Sequence, residues 1–315
     1  MPRPVPSGPL IGLTVVRNEG DIVGQALRHA ARNHDLILVV DVCSWDDTVP
    51  EIEAVSREHP HVVLITSLPR PTFAERTWRH IWDRFRTRVP AETWWSYVDG
   101  DEFADHDLRQ AVARAESEGA DHIEGASALF FYTESEARAW REGREGLADR
   151  ARSIEERRWL YRMDVYSMRL FRQSKHLRWL EDTSRPRGLL RPASRRANYR
   201  HYQYRDLDQI AVRVRTRRGA ETPEDFARRH FHWSYDETTC IGPDDAPRPR
   251  THRAGEELVE DQDLPRVWVP GPHVRATRWV RERLYAARYP QPPPGDLLAD
   301  VDVDGALARA RLTYR

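Results

Sequence analysis

Two carboxylates, Asp99 and Asp101, stand one residue apart directly after the apolar run WWSYV at residues 94–98. Hard divalent cations such as Mn²⁺ and Mg²⁺ prefer oxygen ligands, and a cation bound there can bridge phosphate oxygens and neutralise a leaving diphosphate. Gly100 between them permits a tight bend, so both carboxylates can face one cleft. The pattern alone is typical of a turn, but its place at a predicted strand end indicates a metal and phosphate site.

Polar side chains also follow two earlier apolar runs, at residues 12–16 and 36–40. These side chains are Arg17, Asn18 and Glu19 after the first run, and Asp41, Ser44 and Asp46 after the second. In an open α/β sheet, ligands bind outside the carboxyl ends of the strands. We therefore expect these residues to lie near Asp99 and Asp101, in a cleft where arginine guanidinium groups suit a diphosphate.

The elements that must position these residues alternate between strands and helices. Strands are predicted at residues 12–16, 36–40, 62–66 and 94–98, and helices at 21–32, 49–58, 73–86 and 107–118. This alternation predicts an α/β fold with a Rossmann-type, mostly parallel sheet flanked by helices. Farther along, strands are predicted at 120–124, 128–132, 169–171 and 177–180, a helix at 207–217, and a long loop or surface helix at 134–156.

Composition restricts the classes of function. Lys plus Arg and Asp plus Glu each number 50, so no net charge draws the chain to nucleic acid, which is not an expected partner. Two cysteines are too few for a disulfide framework. The sequence shows neither a secretory leader nor an apolar run long enough to cross a bilayer, so a cytoplasmic location is expected. The 11 Trp and many Arg leave peripheral contact with a membrane open.

The 315 residues are enough for one large α/β domain with an added C-terminal part. We expect a catalytic domain at residues 1–240, with a nucleotide-binding half at about 1–110 and an acceptor half at about 111–240. After residue 240 the composition shifts to Pro, Arg and Asp, so residues 241–315 are expected to form a C-terminal extension.

Three segments, VVRNEGDI, VVDVCSWDDT and WWSYVDGDEF, resemble family 2 glycosyltransferases of the GT-A fold over about the first 110 residues. The resemblance implies a metal-dependent enzyme that moves a sugar from a nucleotide-sugar donor to an acceptor hydroxyl. It also implies roles for individual side chains: Arg17 and Glu19 line the nucleotide pocket together with Asn18, Asp41 accepts a hydrogen bond from the base, Asp99 approaches the ribose or the metal, and Asp101 ligates the metal.

The chain departs from the family pattern after the third predicted strand, where it has SLPRPTFAERTWRHIW at residues 67–82. The arginine that meets the diphosphate is then Arg76 or Arg79, and we favour Arg76. His201, in YRHYQYR, resembles a histidine that completes the metal site in some GT-A enzymes, and imidazole can ligate manganese. The alternative is a structural histidine followed by a solvated helix rich in arginine.

An inverting transferase needs a general base near the acceptor hydroxyl, and Glu181 and Asp182 in RWLEDTSRP are the candidates by chain order. An exposed turn is the other interpretation of this segment, and a retaining enzyme would not need the base. His230 and His232 in HFHW form a second metal or acceptor site or are structural. The acceptor is a glycan, a lipid-linked molecule or a small molecule.

Two other functions compete with glycosyl transfer. A nucleotidyltransferase also uses paired aspartates and a metal, but that class prefers a Gly-rich phosphate loop, which residues 11–25 lack. The second competitor is a non-catalytic protein that binds nucleotide-sugars or carbohydrates and keeps the carboxylates for metal binding alone.

Overall fold

The computed structural model describes residues 6–72, 74–180, 183, 185–220, 240–244, 250–259, 267, 269–288 and 296–312, without the side chains at 164–166, 217–220, 285, 286 and 296. The strands are β1 (Leu10–Val16), β2 (Leu36–Val42), β3 (Val62–Leu68), β4 (Trp94–Tyr97), β5 (Glu102–Ala104), β6 (His122–Phe130), β7 (Leu160–Arg172), β8 (Tyr199–His201) and β9 (Arg250–Thr251). The helices are α1 (Val23–Ala31), α2 (Thr48–Glu58), α3 (Ala74–Phe85), α4 (Leu108–Ser117), α5 (Glu134–Arg141), α6 (Ile154–Arg157), α7 (Leu207–Ala220), α8 (Pro272–Arg288) and α9 (Val303–Arg309).

The described strands form one sheet in the order β3-β2-β1-β4-β7-β6-β8-β5, with β9 paired to β7. The first four strands are parallel neighbours, as their alternation with helices predicts. β2 is buried at all seven positions because both faces of the sheet are covered. Its side chains alternate between faces, so Leu38 belongs to the same buried cluster as Trp82 of α3, and Val39 belongs to the cluster on the other face with Leu27 of α1. The predicted α/β fold with helices flanking the sheet is confirmed.

The second half of the sheet differs from the sequence prediction. The two strands expected at 120–124 and 128–132 are one strand, β6, and the short strand expected at 169–171 is the end of the 13-residue β7. β7 runs antiparallel to both β4 and β6. The sequence did not predict the full length of β7, because its polar residues interrupt the apolar pattern. Arg169 is nevertheless buried there, where it forms an ion pair with Glu102 from a distant part of the chain. Residues 177–180 form no named strand.

Two short strands, β5 and β8, were missed in the sequence because three residues carry no usable periodicity. β8 lies between β5 and β6, antiparallel to the first and parallel to the second. In this register His201 stands directly opposite Glu102, the residue that follows Asp101. The strand pairing therefore brings a histidine from the second half of the chain to the carboxylates that follow β4.

The C-terminal part of the chain packs against the parallel half of the sheet. Leu298, Val301 and Leu307 belong to the same buried cluster as Leu38 and Trp82. Residues 296–312 thus help to cover one face of the sheet, and the division at residues 240 and 241 stays a prediction. No helix in the described ranges has the length and apolar composition needed to cross a membrane.

Candidate functional site

A cavity of about 320 Å³ opens at the carboxyl ends of β1 and β4. These strands are parallel neighbours, so the segments that follow them meet, and α7 closes the third side. The structure brings six of the predicted site residues to this cavity: Arg17, Asn18, Glu19, Asp99, Asp101 and His201. Arg213 and Thr216 of α7 complete its polar lining.

Positive charge surrounds Asp101. Its Oδ2 atom lies 3.3 Å from Nε2 of His201, 3.3 Å from Nη1 of Arg213 and 4.0 Å from Nη1 of Arg205. Burial alone would raise the pKa of the Asp101 carboxyl, but His201 and the two arginines hold it well below its ordinary value. Burial alone would lower the pKa of His201, but the nearby Asp101 carboxylate raises this pKa above its ordinary value. Asp101 is therefore an ionised carboxylate near neutral pH.

Asp99 has much weaker charge compensation. Its Oδ2 atom lies 3.6 Å from Nη1 of Arg169, while the same guanidinium lies 2.7 Å from the carboxylate of Glu102. Burial, followed by the negative charge of Glu102, raises the pKa of Asp99 to about 7. The Asp99 side chain is 30% exposed and lines the cavity. A ligand that brings a cation or a hydroxyl donor would stabilise the ionised form of this carboxyl.

A glycine, Gly100, stands between the two carboxylates, but the tight bend expected from the sequence is not the reason for it. It does not adopt a positive φ. A Cβ atom at this position would lie 2.7 Å from Cγ1 of Val16 and 3.6 Å from Cγ2 of Val23. Glycine is thus required by the close approach of this segment to β1 and α1, which sets the distance of both carboxylates from the end of β1.

Two arginines missed in the sequence hold Glu19 in place. Arg205 donates from Nη2 to Oε2 of Glu19 at 2.5 Å and from Nε to Oδ2 of Asp21 at 2.6 Å. Arg213 donates to Oε1 of Glu19 at 3.0 Å. Burial raises the pKa of Glu19, although both arginines act to lower it.

The interpretation of this region as a solvated surface rich in arginine is wrong for Arg205 and Arg213. Their side chains are 0% and 12% exposed. The signal in the sequence that could have identified them is the excess of carboxylates at the strand ends, since buried carboxylates need cationic partners.

Asn18 connects three elements around the cavity. It lies just after β1 with a positive φ of 54°, a conformation that asparagine tolerates better than most residues. Its Nδ2 atom donates to Oγ1 of Thr216 on α7 at 2.7 Å, and its Oδ1 atom accepts from the backbone N–H of Trp45 at 3.0 Å. Its own N–H donates to Oγ of Ser44. In this arrangement Asn18 positions the cavity walls, and its predicted substrate contact stays a prediction.

Unsatisfied polar atoms mark the strand ends. Nε and Nη1 of Arg17 are buried and have no hydrogen-bond partner among the described residues, and the guanidinium lies 5.5 Å from the ring centre of Trp45. Asp41 is 2% exposed, and its Oδ2 accepts from the N–H of Ser44, while no described group bonds to Oδ1. Asp41 does not line the 320 Å³ cavity. Buried polar atoms without partners are costly, so a ligand that bonds to them would be stabilised.

Several predicted site residues lie away from the cavity or outside the described residues. Arg76 is exposed on α3, and Arg79 on the same helix is fully buried against Asp83, with Nε 3.2 Å from Oδ2. Neither arginine lines the cavity. The candidate bases, Glu181 and Asp182, lie outside the described residues. So do His230 and His232, the candidates for a second metal or acceptor site.

The donor chemistry of Asp99, Asp101 and His201 fits a divalent cation, because carboxylate oxygens and imidazole nitrogen are ligands for Mn²⁺. The pKa of Asp99, raised by burial and by Glu102, reflects negative charge that a cation would compensate. Within the described part of the chain, no three acidic, histidine or cysteine side chains already form a metal-binding group. The residues therefore supply suitable ligands without a preformed cluster.

No protein-family model matches the sequence, and no curated protein matches it. Among solved structures, a mannosyltransferase from Pyrobaculum calidifontis in complex with GDP-Man and Mn²⁺ is 12% identical, with a TM-score of 0.39 over 98% of this chain and 88% of that chain. A protein described as a glucose-1-phosphate thymidylyltransferase from Bacillus anthracis, in complex with sucrose, is 9% identical, with a TM-score of 0.29 over 74% of this chain and 85% of that chain. At these TM-scores neither likeness carries an assignment.

Proposed function

We propose that the chain is a glycosyltransferase of the family 2, GT-A type that moves a sugar from a nucleotide-sugar to an acceptor hydroxyl with the help of a divalent cation. The observation that carries the proposal is one cavity shared by Asp99, Asp101 and the unpartnered guanidinium of Arg17. Paired carboxylates suit a cation bound to a diphosphate, and a free guanidinium fork suits phosphate oxygens.

The donor nucleotide would contact the ends of the parallel strands. Arg17 would donate its free N–H groups to the diphosphate, which would satisfy buried donors that now lack partners. Asp41 would accept a hydrogen bond from the base through its free Oδ1 atom. The indole of Trp45 is 54% exposed beside Arg17, which leaves a flat face for a base or a sugar. Arg76 stays a sequence prediction for the diphosphate.

Asp101, together with Asp99 and His201, would hold the divalent cation. A bound cation would neutralise charge on the diphosphate as it leaves. Arg213 already supplies positive charge to Asp101 and Glu19, so it would keep α7 against the donor side of the cavity. Asn18 would hold α7 and the loop after β2 in place through its three hydrogen bonds.

In the proposed transfer, the acceptor oxygen attacks the anomeric carbon and forms the new glycosidic bond. The bond between that carbon and the diphosphate oxygen breaks, and the diphosphate keeps the electron pair. In an inverting reaction a carboxylate takes the acceptor proton, and Glu181 and Asp182 are the proposed bases. The acceptor half at 111–240, a cytoplasmic location and the 241–315 extension are parts of the same proposal.

Thermal denaturation with UDP-, GDP-, dTDP- and CMP-sugars, each with and without Mn²⁺, tests the proposal. One nucleotide class should raise the melting temperature only when Mn²⁺ is present, because metal and diphosphate share the Asp99 and Asp101 site. Asp101→Asn should lose this gain. Asp47→Asn is the matched control, since Asp47 is exposed in the loop after β2 and does not line the cavity.

Product analysis separates the competing functions. A competent glycosyltransferase without acceptor should slowly release free sugar and nucleoside diphosphate from the donor. Formation of nucleotide-sugar from a sugar phosphate and a nucleoside triphosphate, with release of pyrophosphate, would identify a nucleotidyltransferase instead. Metal-dependent binding with neither reaction would identify a binding protein.

The general base is tested by Glu181→Gln and Asp182→Asn. The variant that removes the base should bind the donor as tightly as the wild-type protein and lose turnover by at least about a hundredfold. Full turnover in both variants would remove these residues from the mechanism.

A further inference from the structure

Helix α8 presents large apolar side chains to solvent. Trp279, Val280 and Leu284 are 46%, 49% and 68% exposed. At 3.6 residues per turn, these three positions fall within an arc of about 140°. Isolated exposed apolar residues are ordinary, but three on one arc of a single helix form an apolar face.

The same helix concentrates positive charge in a chain whose net charge is zero. Its arginines are Arg275, Arg278, Arg281, Arg283 and Arg288. Its one carboxylate, Glu282, pairs with Arg187 on the body of the protein, with Nη2 3.0 Å from Oε1. On a helical projection Arg283 lies inside one margin of the apolar arc, and Arg281 and Arg288 lie beyond the other. The carboxylate thus faces the protein, and arginine borders the solvent-facing apolar face.

A second cavity lies beneath the helix. This cavity, of about 640 Å³, is lined by Trp279 of α8 and by His176 of the adjoining loop. Its charged lining is mixed, because Arg172, Arg178 and Arg283 are accompanied by Glu92, Asp121 and Glu282. Burial lowers the pKa of His176, and the positive charges of Arg283, Lys175 and Arg178 lower it further. The cavity also borders residues 91–92, which precede β4, so it lies at the opposite end of that strand from Asp99. It is separate from the proposed donor site.

We propose that α8 is an interfacial helix that binds the surface of an anionic lipid bilayer. Trp279 would lie at the level of the headgroups, and Val280 and Leu284 would insert among the upper acyl carbons. The flanking arginines would pair with lipid phosphates. Charge complementarity selects this partner over a second copy of the chain, because two such helices would bring their arginines together.

Co-sedimentation of the full chain with lipid vesicles tests the surface. The protein should sediment with vesicles of phosphatidylcholine mixed with phosphatidylglycerol and should not sediment with phosphatidylcholine alone. Leu284→Glu should weaken binding by about tenfold or more, because it places a carboxylate among lipid chains. Arg281→Glu should have a similar effect, and salt should weaken binding by the wild-type protein.

Two controls match these changes elsewhere on the surface. Leu147→Glu changes another exposed leucine, 58% exposed, and Arg144→Glu changes another exposed arginine, with a side chain 62% exposed. Both should bind vesicles like the wild-type protein. Circular dichroism of all four variants should match the wild-type spectrum, since each position is exposed.

Three outcomes would overturn the membrane assignment. The first is no sedimentation of the wild-type protein with anionic vesicles. The second is loss of binding in Arg281→Glu with full binding in Leu284→Glu, which would indicate a surface for anions without apolar insertion. The third is a wild-type dimer in light scattering that Leu284→Glu converts to a monomer, which would assign the face to self-association. None of these results depends on glycosyl transfer.

Discussion

The guanidinium of Arg213 lies 3.3 Å from the carboxylate of Asp101, although 112 positions separate the two residues in the chain. The same Nη1 atom lies 3.0 Å from Oε1 of Glu19, so one arginine connects the ends of β1 and β4 to α7. The positive charge of Arg213 therefore partly neutralises the Asp101 carboxylate, to which a metal ion would bind. It also explains how the described structure keeps two buried carboxylates close together.

Arg213→Gln should lower the free energy of unfolding by about 2 kcal/mol, because Glu19 and Asp101 lose a buried cation while Arg205 and His201 remain. If Asp101 binds the metal, Mn²⁺ should then raise the melting temperature more in the variant than in the wild-type protein. Denaturant titration and thermal scans measure both effects.

Arg28→Gln is the control for this change, because Arg28 pairs with Glu58 on the surface, where an ion pair contributes under about 1 kcal/mol. An equal response to Mn²⁺ in Arg213→Gln and the wild-type protein would argue against competition between Arg213 and metal.

Gly100→Ala should lower the free energy of unfolding by about 1–3 kcal/mol and weaken metal-dependent nucleotide binding, because its Cβ would meet Val16 at 2.7 Å. The double variant with Val16→Ala should lose less stability than the two single losses combined, since the smaller side chain makes room. Denaturant titration of all four proteins measures this coupling. Gly146→Ala, where no atom lies within 4 Å of the added Cβ, is the control. Strictly additive losses would contradict the steric explanation.

Gln173→Ala should destabilise the protein by about 3 kcal/mol, because two buried indole N–H groups would lose their acceptor. Oε1 of Gln173 accepts from Nε1 of Trp95 at 2.9 Å and from Nε1 of Trp82 at 3.1 Å, and both tryptophans are fully buried. Chemical denaturation followed by tryptophan fluorescence measures the loss. Gln110→Ala, which removes a bond at an exposed helix start, should change stability by less than about 1 kcal/mol. Equal losses of stability in Gln173→Ala and Gln110→Ala would show that the two indole hydrogen bonds do not stabilise the protein as stated.

His34 should make the wild-type protein less stable as the pH falls from about 6.5 to about 4. Burial lowers the pKa of His34 to about 4 from its ordinary 6.5, so the unfolded chain binds more protons than the folded chain in this window. Its contribution is fully present above this window and is lost as the pH falls through it, by up to about 3 kcal/mol. Unfolding free energies of wild-type protein and His34→Gln should therefore converge toward pH 4.

The neutral ring of His34 lies between the carbonyl of Ala30 at 2.8 Å and Oγ of Ser96 at 2.6 Å. His273→Gln, at an exposed position of α8, is the control for the change in residue type. A constant difference between wild-type protein and His34→Gln across this pH range would show that His34 does not titrate as stated.

The amino-acid sequence determined the parallel half of the sheet. Its four strands are apolar runs, and the first three are each followed directly by a helix with apolar spacing. Such patterns depend only on residues close in the chain. The expectation that polar residues at adjacent strand ends share one cleft follows from the same patterns. Arg17, Glu19, Asp99 and Asp101 do line one cavity, whereas Asp41, Ser44 and Asp46 do not line it.

Only the tertiary structure decided which distant residues complete the site. The resemblance named His201, but its contact with Asp101 depends on the pairing of β8 with β5, and a three-residue strand leaves no periodic signal. Isolated arginines in a sequence are expected at the surface. Three of them are instead buried in ion pairs with carboxylates from distant parts of the chain: Arg169, Arg205 and Arg213. Local pattern sets the type and spacing of elements, but the charge pairs inside a cavity depend on how the folded chain brings those elements together.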